Sequence, residues 1–485
     1  MAESKLEHKV AKGVAWSFSE KLLSMVVQMV VSIVVARQLA PADFGVMAIM
    51  TFFTSVALAI VDSGFSQTLI RKSNPTDEEY HSVLIFNIVV SVVLYAALTA
   101  AAYPIARVYD SPAIWTIAPV LFLVLPINSL CVVQTVMYTR EFRFALLSKI
   151  VFFASLISGA VAVVMAVVGC GIWSLVAQRL LMMGIKAATF WYIRRWHTSA
   201  RFSFAAIRAM APFSLRLLAT DLIASVYNNV AQLFIGKMHT TSTLGFYAQA
   251  QKLKELPITS TVQAVQGVTY PALSNIANEE TKFDDGYLRI MRLLSFAVFP
   301  IMLGFVAIAP DMFMLLLGEK WMPTVPYFEI LALSGLFYPL AIVSYNVLKV
   351  KSDGKAIVRL EVTKRVIMTA VLCYTIPQSV EAIAWGMTAM SAVEFLLNTA
   401  FAMRYMSRKW ISLIKSIAPS FIAAAAMFGT LFLIAPHIAT LNIALRLGVM
   451  IITGGAFYIA LASLLRLRAL REAIELVRGM LAKSA

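Results

Sequence analysis

Apolar runs of about 20 residues, separated by short polar or glycine- and proline-bearing turns, recur from one end of the chain to the other. Each is long enough to cross roughly 30 Å of hydrocarbon as a helix. Lipid offers no partner to a backbone amide, so a spanning segment must satisfy its own hydrogen bonds or join a closed barrel. The alternation of barrel strands is absent, and the runs are therefore helices. Cutting at charges, turns and span length predicts about fourteen of them, near 14–39, 44–70, 82–107, 113–138, 146–168, 171–193, 209–235, 244–270, 287–315, 323–348, 357–377, 380–405, 411–435 and 440–465. The tail LRLRALREAIELVRGMLAKSA reads as a basic amphipathic helix lying on the inner membrane surface.

Composition agrees with this pattern. The 485 residues are 60% hydrophobic and 14% charged, with mean hydropathy +0.81, more apolar surface than a soluble core can bury. The expected class is an all-α polytopic membrane protein. The net charge of +16 does not indicate nucleic acid, because most Lys and Arg fall beside alternate connections, as the positive-inside rule requires. Arg71 with Lys72, Arg140 with Arg143 and Lys149, Arg194 with Arg195, the run Lys349 to Arg365, and Arg404 to Lys415 mark the cytoplasmic side. Both termini are then cytoplasmic. Three cysteines and five dispersed histidines present no disulfide framework, metal-ligand spacing or cofactor site. Connections are short throughout, leaving no extramembrane domain for conventional catalysis, and no enzyme is expected.

Two turns echo each other: ARQLAPADFGVMA at 36–48 and GKMHTTSTLGFYA at 236–248. They follow the first and seventh spans, and their glycines Gly45 and Gly245 suit tight turns between paired helices. A second echo, YTREFRFALLSK at 138–149 and VKSDGKAIVRLE at 350–361, follows the fourth and tenth spans. Six spans separate the copies, so the halves are expected to be parallel repeats about an axis along the membrane normal. The predicted organisation is a lobe over 1–200, a lobe over 201–406, and a C-terminal helix pair with its basic tail over 407–485.

Ionisable side chains at membrane depth are costly and therefore informative. Arg179 and Lys186 lie two turns apart on one face of the sixth span, suited to a negatively charged substrate; Lys186 could equally snorkel. The eighth span is unusually polar, with Gln249, Gln251, Lys252, Lys254, Glu255, Thr259, Ser260, Gln263 and Gln266, and is expected to line a wet cavity. Within it Lys252 and Glu255 can pair, leaving Lys254 as the available cation, and Pro257 predicts a kink and a hinge. Arg216 and Asp221 accompany Tyr227, Asn228 and Asn229 on the seventh span, where Arg216 too can snorkel. Asp62, Glu329 and Glu394 are isolated carboxylates. With Asp221 they are candidate proton or sodium sites, a hydrogen-bonded structural role being the alternative. Glu20 and Lys21 sit early in the first span.

ARQLAPADFGVMA followed by DSGFSQTLIRK at 62–72 resembles the first helical hairpin of bacterial polysaccharide exporters. These are the Wzx-type flippases of O-antigen, colanic acid and teichuronic acid polymers, in the superfamily that also holds MATE drug exporters and the lipid II flippase. The resemblance implies two six-helix lobes around a central cavity, with two further helices outside them. It also implies transport of a polyprenyl-diphosphate-linked oligosaccharide across the bacterial inner membrane, by alternating access coupled to protons or sodium. Arg179, Lys186, Arg216, Lys252 and Lys254 would meet the anionic headgroup. Polysaccharide polymerase and chain-length regulator are the implied protein partners, and membrane lipids surround the chain. The competing readings are a MATE-like exporter of cationic drugs, which would favour a carboxylate-rich cavity, and a membrane polymerase or ligase, which would need a large outer loop.

Overall fold

The computed structural model describes residues 23–62, 64–194, 196, 200–352, 354–408 and 410–484, with several side chains in 256–272 and 476–484 left undescribed. Glu20, Lys21 and the start of the first predicted span lie outside the described residues, as do the side chains of Thr259, Ser260, Gln263 and Gln266. The described chain is helical from end to end. Ten helical segments among the described residues are long and apolar enough to cross a membrane, and the chain is a multi-pass membrane protein. The other four predicted spans correspond to a shorter apolar helix, α1 (Leu23–Gln38), and to three polar ones, α8 (Trp173–Ile193), α10 (Thr241–Asn275) and α14 (Lys355–Thr375).

The chain divides into two compact units, 1–248 and 249–485. In the first, α2 (Pro41–Asp62), α3 (Phe65–Arg71), α4 (Asp77–Val108), α5 (Pro112–Leu121), α6 (Val124–Arg140), α7 (Phe144–Val167), α8 and α9 (Phe204–Met238) form the bundle. α4 packs on α5 and α6, α7 on α8, and α9 on α2, α3 and α4. One face of α4 carries Tyr80, Val83 and Leu84 against Val133, Val136 and Met137 of α6 and Ile207 and Met210 of α9. The start of α4 is fixed by a capping box: the Glu79 amide donates to the Thr76 hydroxyl at 3.3 Å, and the Thr76 amide to the Glu79 carboxylate at 3.0 Å.

The echoing turns are alike in structure. Leu39 and His239 close the preceding helices on Val35 and Ile235 at 3.0 and 2.9 Å, and α2 and α10 begin at Pro41 and Thr241. The Ala40 amide donates to Asp43 at 3.2 Å, and the Thr243 amide to the Thr240 hydroxyl at 3.1 Å, so each start is capped by its own short side chain. The two glycines are not turn residues, as the pattern suggested, but lie inside the helices. Their role is close approach. A Cβ on Gly45 would overlap the Thr241 carbonyl oxygen, and one on Gly245 would overlap the Pro41 carbonyl oxygen. The contact is reciprocal, as a local two-fold relation demands.

The second predicted span, near 44–70, is not one helix. α2 stops at Asp62 and α3 starts at Phe65, with Gly64 between them at φ +70°. Gly64 sits tightly against α9, where a Cβ would stand 2.6 Å from the Ser214 carbonyl oxygen, and Thr68 and Ser214 share a hydrogen bond of 2.7 Å across the same seam. The tenth predicted span is likewise segmented into 3-10 turns, α12 (Val325–Leu333) and α13 (Tyr338–Lys351).

In the second unit, α11 (Glu280–Leu316) is the central post. It packs on α12, α13, α16 (Trp410–Ile434), α17 (Ile443–Leu464) and α18 (Arg468–Ser484). α15 (Val380–Ala402) packs on α12, α13 and α14. A buried chain of hydroxyls runs from Tyr287 to Ser344 to Thr399, each link 2.9 Å, and joins α11, α13 and α15. The C-terminal helices are stapled to α11 by charge. Arg446 of α17 grips Asp311 through both carboxylate oxygens, its Nε at 2.6 Å, and Arg292 pairs with Glu472 of α18.

In both units a cation at a helix end ties it to backbone carbonyls of another segment, at a helix terminus in the case of Arg140 and in a turn in the case of Lys351. Arg140, at the end of α6, donates to the carbonyls of Leu69 (2.9 Å), Ile70 (3.1 Å) and Ser73 (2.7 Å) and to that of Lys72. Lys351, at the end of α13, donates to the Ala277 carbonyl beyond α10. A cation on the last carbonyls of a helix satisfies orphan acceptors and opposes the negative end of the helix dipole.

Candidate functional site

The break between α2 and α3 holds the most suggestive acidic group. Asp62 ends α2, one turn before Ser66 in the first turn of α3. Its Oδ1 is buried without a hydrogen-bond partner among the described residues. Asp221 lies on α9, the helix that packs against both α2 and α3. An interrupted helix at membrane depth frees backbone carbonyls, and a carboxylate with a buried oxygen beside such a break is chemistry suited to a small cation.

Arg179 and Lys186 project from α8. Arg179 is exposed and has no hydrogen bond or ion pair among the described residues, whereas Lys186 is half-buried with its ammonium 5.5 Å from the Phe190 ring centroid. The cation–π contact stabilises Lys186 one turn from Phe190 and agrees with either a lining or a snorkelling role. Arg216 is exposed on α9, as is Asp221. Neither Asn87 of α4 nor Gln134 of α6 stood out in the sequence. Both are fully buried, with amide atoms unpartnered among the described residues. Their composition gave no signal, since a lone amide in an apolar run looks like any tolerated polar residue.

In the second unit, α10 carries Lys252, Lys254, Glu255 and Pro257. Lys252 and Glu255 are exposed and Lys254 is half-buried; Gln251 donates to Glu255 at 3.1 Å. Gln249, expected to face water, is instead 1% exposed, with both amide atoms unpartnered among the described residues. The helix runs through Pro257 without a break. Glu329 of α12 is half-buried with no ion pair among the described residues. Glu394 of α15 is half-buried, on the helix that packs against α14.

Comparison with known proteins agrees with this architecture. A profile of the family described as polysaccharide biosynthesis protein matches residues 34–326. The chain is 23% identical over 427 residues to the teichuronic acid biosynthesis protein TuaB of Bacillus subtilis, covering 86% of this chain and 87% of that protein. It is 21% identical over 345 residues to the lipopolysaccharide biosynthesis protein WzxC of Escherichia coli, covering 68% of each. In fold it is similar to the lipid II flippase MurJ in an inward closed conformation, with a TM-score of 0.74 at 14% identity over 94% of this chain and 99% of that one. An inward-facing MATE multidrug transporter follows, with a TM-score of 0.60 at 14% identity over 79% of this chain and 94% of that one. The resemblance carried by residues 36–72 is borne out, and the chain belongs to the polysaccharide biosynthesis protein family.

Proposed function

We propose that this protein is a flippase that carries a polyprenyl-diphosphate-linked oligosaccharide from the inner to the outer leaflet of the bacterial cytoplasmic membrane. The observation that carries the reading is the placement of cations. Within a chain of apolar helices, α8 and α10 are not among the ten segments long and apolar enough to cross a membrane, and they hold Arg179, Lys186, Lys252 and Lys254. Arg216 adds a fifth on α9. A diphosphate requires such charges, a sugar chain requires a polar wall, and the prenyl tail can remain in lipid. Family membership and the fold shared with MurJ support the same conclusion.

In this reading two six-helix lobes alternate in access, Pro257 supplies the bend, and Asp62, Asp221, Glu329 and Glu394 couple the movement to protons or sodium. The place of Asp62 beside a broken helix, with Asp221 on the helix packed against that break, favours these two as the coupling centre. A MATE-like exporter of cationic drugs would use the same carboxylates but has no need of Arg179 or Lys254.

The test is purified protein in vesicles with a labelled lipid-linked sugar. The double variant Arg179→Gln with Lys254→Gln is expected to insert and fold but to lose translocation. Wild-type rates in that variant would remove the headgroup assignment. Asp62→Asn, Glu329→Gln and Glu394→Gln together should abolish dependence on sodium or on a pH gradient; an unchanged dependence would exclude the coupling role.

A further inference from the structure

Away from the residues assigned to transport, the second unit holds a polar cavity of about 310 Å³. Its walls include Glu280 and Asp284 of α11, Lys351 at the end of α13, and Arg404, Tyr405 and Ser407 from the connection between α15 and α16. Asp284 sets the shape. It is 3% exposed, and one of its carboxylate oxygens accepts the amides of Ser407 at 3.0 Å and Arg408 at 3.2 Å. These bonds hold the connection against the start of α11.

The remaining charges of the wall are not spent on one another. Glu280 is exposed and has no hydrogen bond or ion pair among the described residues. Arg404 is exposed and equally without one among the described residues, its guanidinium resting 4.8 Å from the ring centroid of Phe401. Lys351 donates to the Ala277 carbonyl and stands 4.7 Å from the Phe283 ring centroid. Two of its three N–H donors remain. Two cations and a carboxylate therefore share one cavity without pairing across it.

The cavity lies at headgroup level. α11 has 37 residues, about 55 Å of helix against roughly 30 Å of hydrocarbon. All of its charged residues except Asp311 fall between Glu280 and Arg292, so this is the end that stands clear of the acyl chains. Three residues past Ser407 an apolar exposed surface begins, with Trp410, Ile411 and Ile414 of α16 at 38%, 54% and 49% exposure. Tyr405, in the wall itself, and Trp410 are the residue types that gather where lipid meets water.

We propose that this cavity binds a phosphoethanolamine group, its phosphate on Arg404 and Lys351 and its ammonium on Glu280. An anion alone would sit beside the Glu280 carboxylate, and a cation alone beside two positive groups, whereas a zwitterion satisfies all three. The volume is at the small end for ligand sites, which start at roughly 300 Å³, and suits a headgroup rather than an oligosaccharide. Its depth favours membrane phospholipid as the source, a soluble phosphoethanolamine ester being the other. The site is independent of the flippase reading and uses none of the residues assigned there.

The test titrates the full chain in detergent with glycerophosphoethanolamine and, separately, glycerophosphoglycerol, followed by calorimetry. The first is expected to bind at least about tenfold tighter. Glu280→Gln should weaken it about tenfold and abolish the preference, while Arg404→Gln should weaken both esters about tenfold. Melting temperatures equal to wild type establish that the variants fold. Should either melt early, glycerophosphocholine on the wild-type chain serves instead: its quaternary ammonium has no N–H to give Glu280, and it should bind about fivefold more weakly than glycerophosphoethanolamine. Equal affinity of the wild-type chain for all three esters overturns the proposal, as does an unchanged preference in folded Glu280→Gln or no detectable binding of any ester. Nanodiscs separate the sources. Loss of glycerophosphoethanolamine binding in phosphatidylethanolamine discs, but not in phosphatidylglycerol discs, assigns the site to the membrane lipid; equal binding in both assigns it to the soluble ester.

Discussion

Gly45 and Gly245 meet backbone to backbone, each built Cβ lying 3.1 to 3.2 Å from the other glycine's nitrogen and overlapping a carbonyl one turn before it. No flexible side chain is available to yield at this contact. Gly45→Ala or Gly245→Ala must therefore push two helix starts apart, at a cost of about 1–3 kcal/mol. Gly448→Ala, where nothing lies within 4 Å, is the control and should be neutral or slightly stabilising. Melting temperatures of the three variants in detergent check this; equal melting of Gly45→Ala and the control would refute the contact.

Arg140 supports the end of α3 by four backbone acceptors, and no shorter side chain can reach them. Arg140→Ala should cost about 1.5–3 kcal/mol, the range for hydrogen bonds to a charged group. Arg140→Lys should recover only part, because an ammonium lacks the planar fork. Faster proteolysis after Lys72 and Arg71 in Arg140→Ala, restored in part by lysine, is the expected readout.

Asp311 is buried and depends on Arg446, so the two substitutions are predicted to be strongly non-additive. Asp311→Leu alone should destabilise by about 3–5 kcal/mol, because the guanidinium loses its partner. Replacing both residues by leucine should be markedly milder than the single change. A double-mutant cycle by thermal unfolding measures the coupling; strict additivity would show that the pair contributes nothing.

The three free cysteines differ in exposure: Cys131 is buried, while Cys170 and Cys373 are exposed. Cys170 lies in the short turn between α7 and α8, expected at the outer surface. With Cys131 and Cys373 replaced by serine, a membrane-impermeant maleimide added to spheroplasts should label Cys170. Labelling only after the membrane is broken would invert the predicted topology.

How far the pattern foretold the molecule depends on distance along the chain. Spans were readable because each helix satisfies its own backbone within one apolar run, and lipid permits nothing else. The recurrence at Gly45 and Gly245 was readable too, but its purpose was not, since a crossing between residues so far apart leaves no trace in local spacing. The same limit hid the break at Asp62 to Phe65: DSG reads as a polar interruption, and only the fit of Gly64 against Ser214 shows why the helix stops. Arg140 looked like an orientation charge and is a helix cap as well, and Lys351 ties α13 to the turn after α10. Lys364 and Arg365 looked cytoplasmic because they close a basic run. α14 starts at Lys355 and carries them a third of the way along its length or more.

The Tyr287, Ser344 and Thr399 relay has a mechanical meaning. Three hydroxyls sealed from water cannot part without leaving each other bare, so α11, α13 and α15 are fastened at one depth and turn as a solid block. Whatever flexes during a working cycle flexes around that block and not through it.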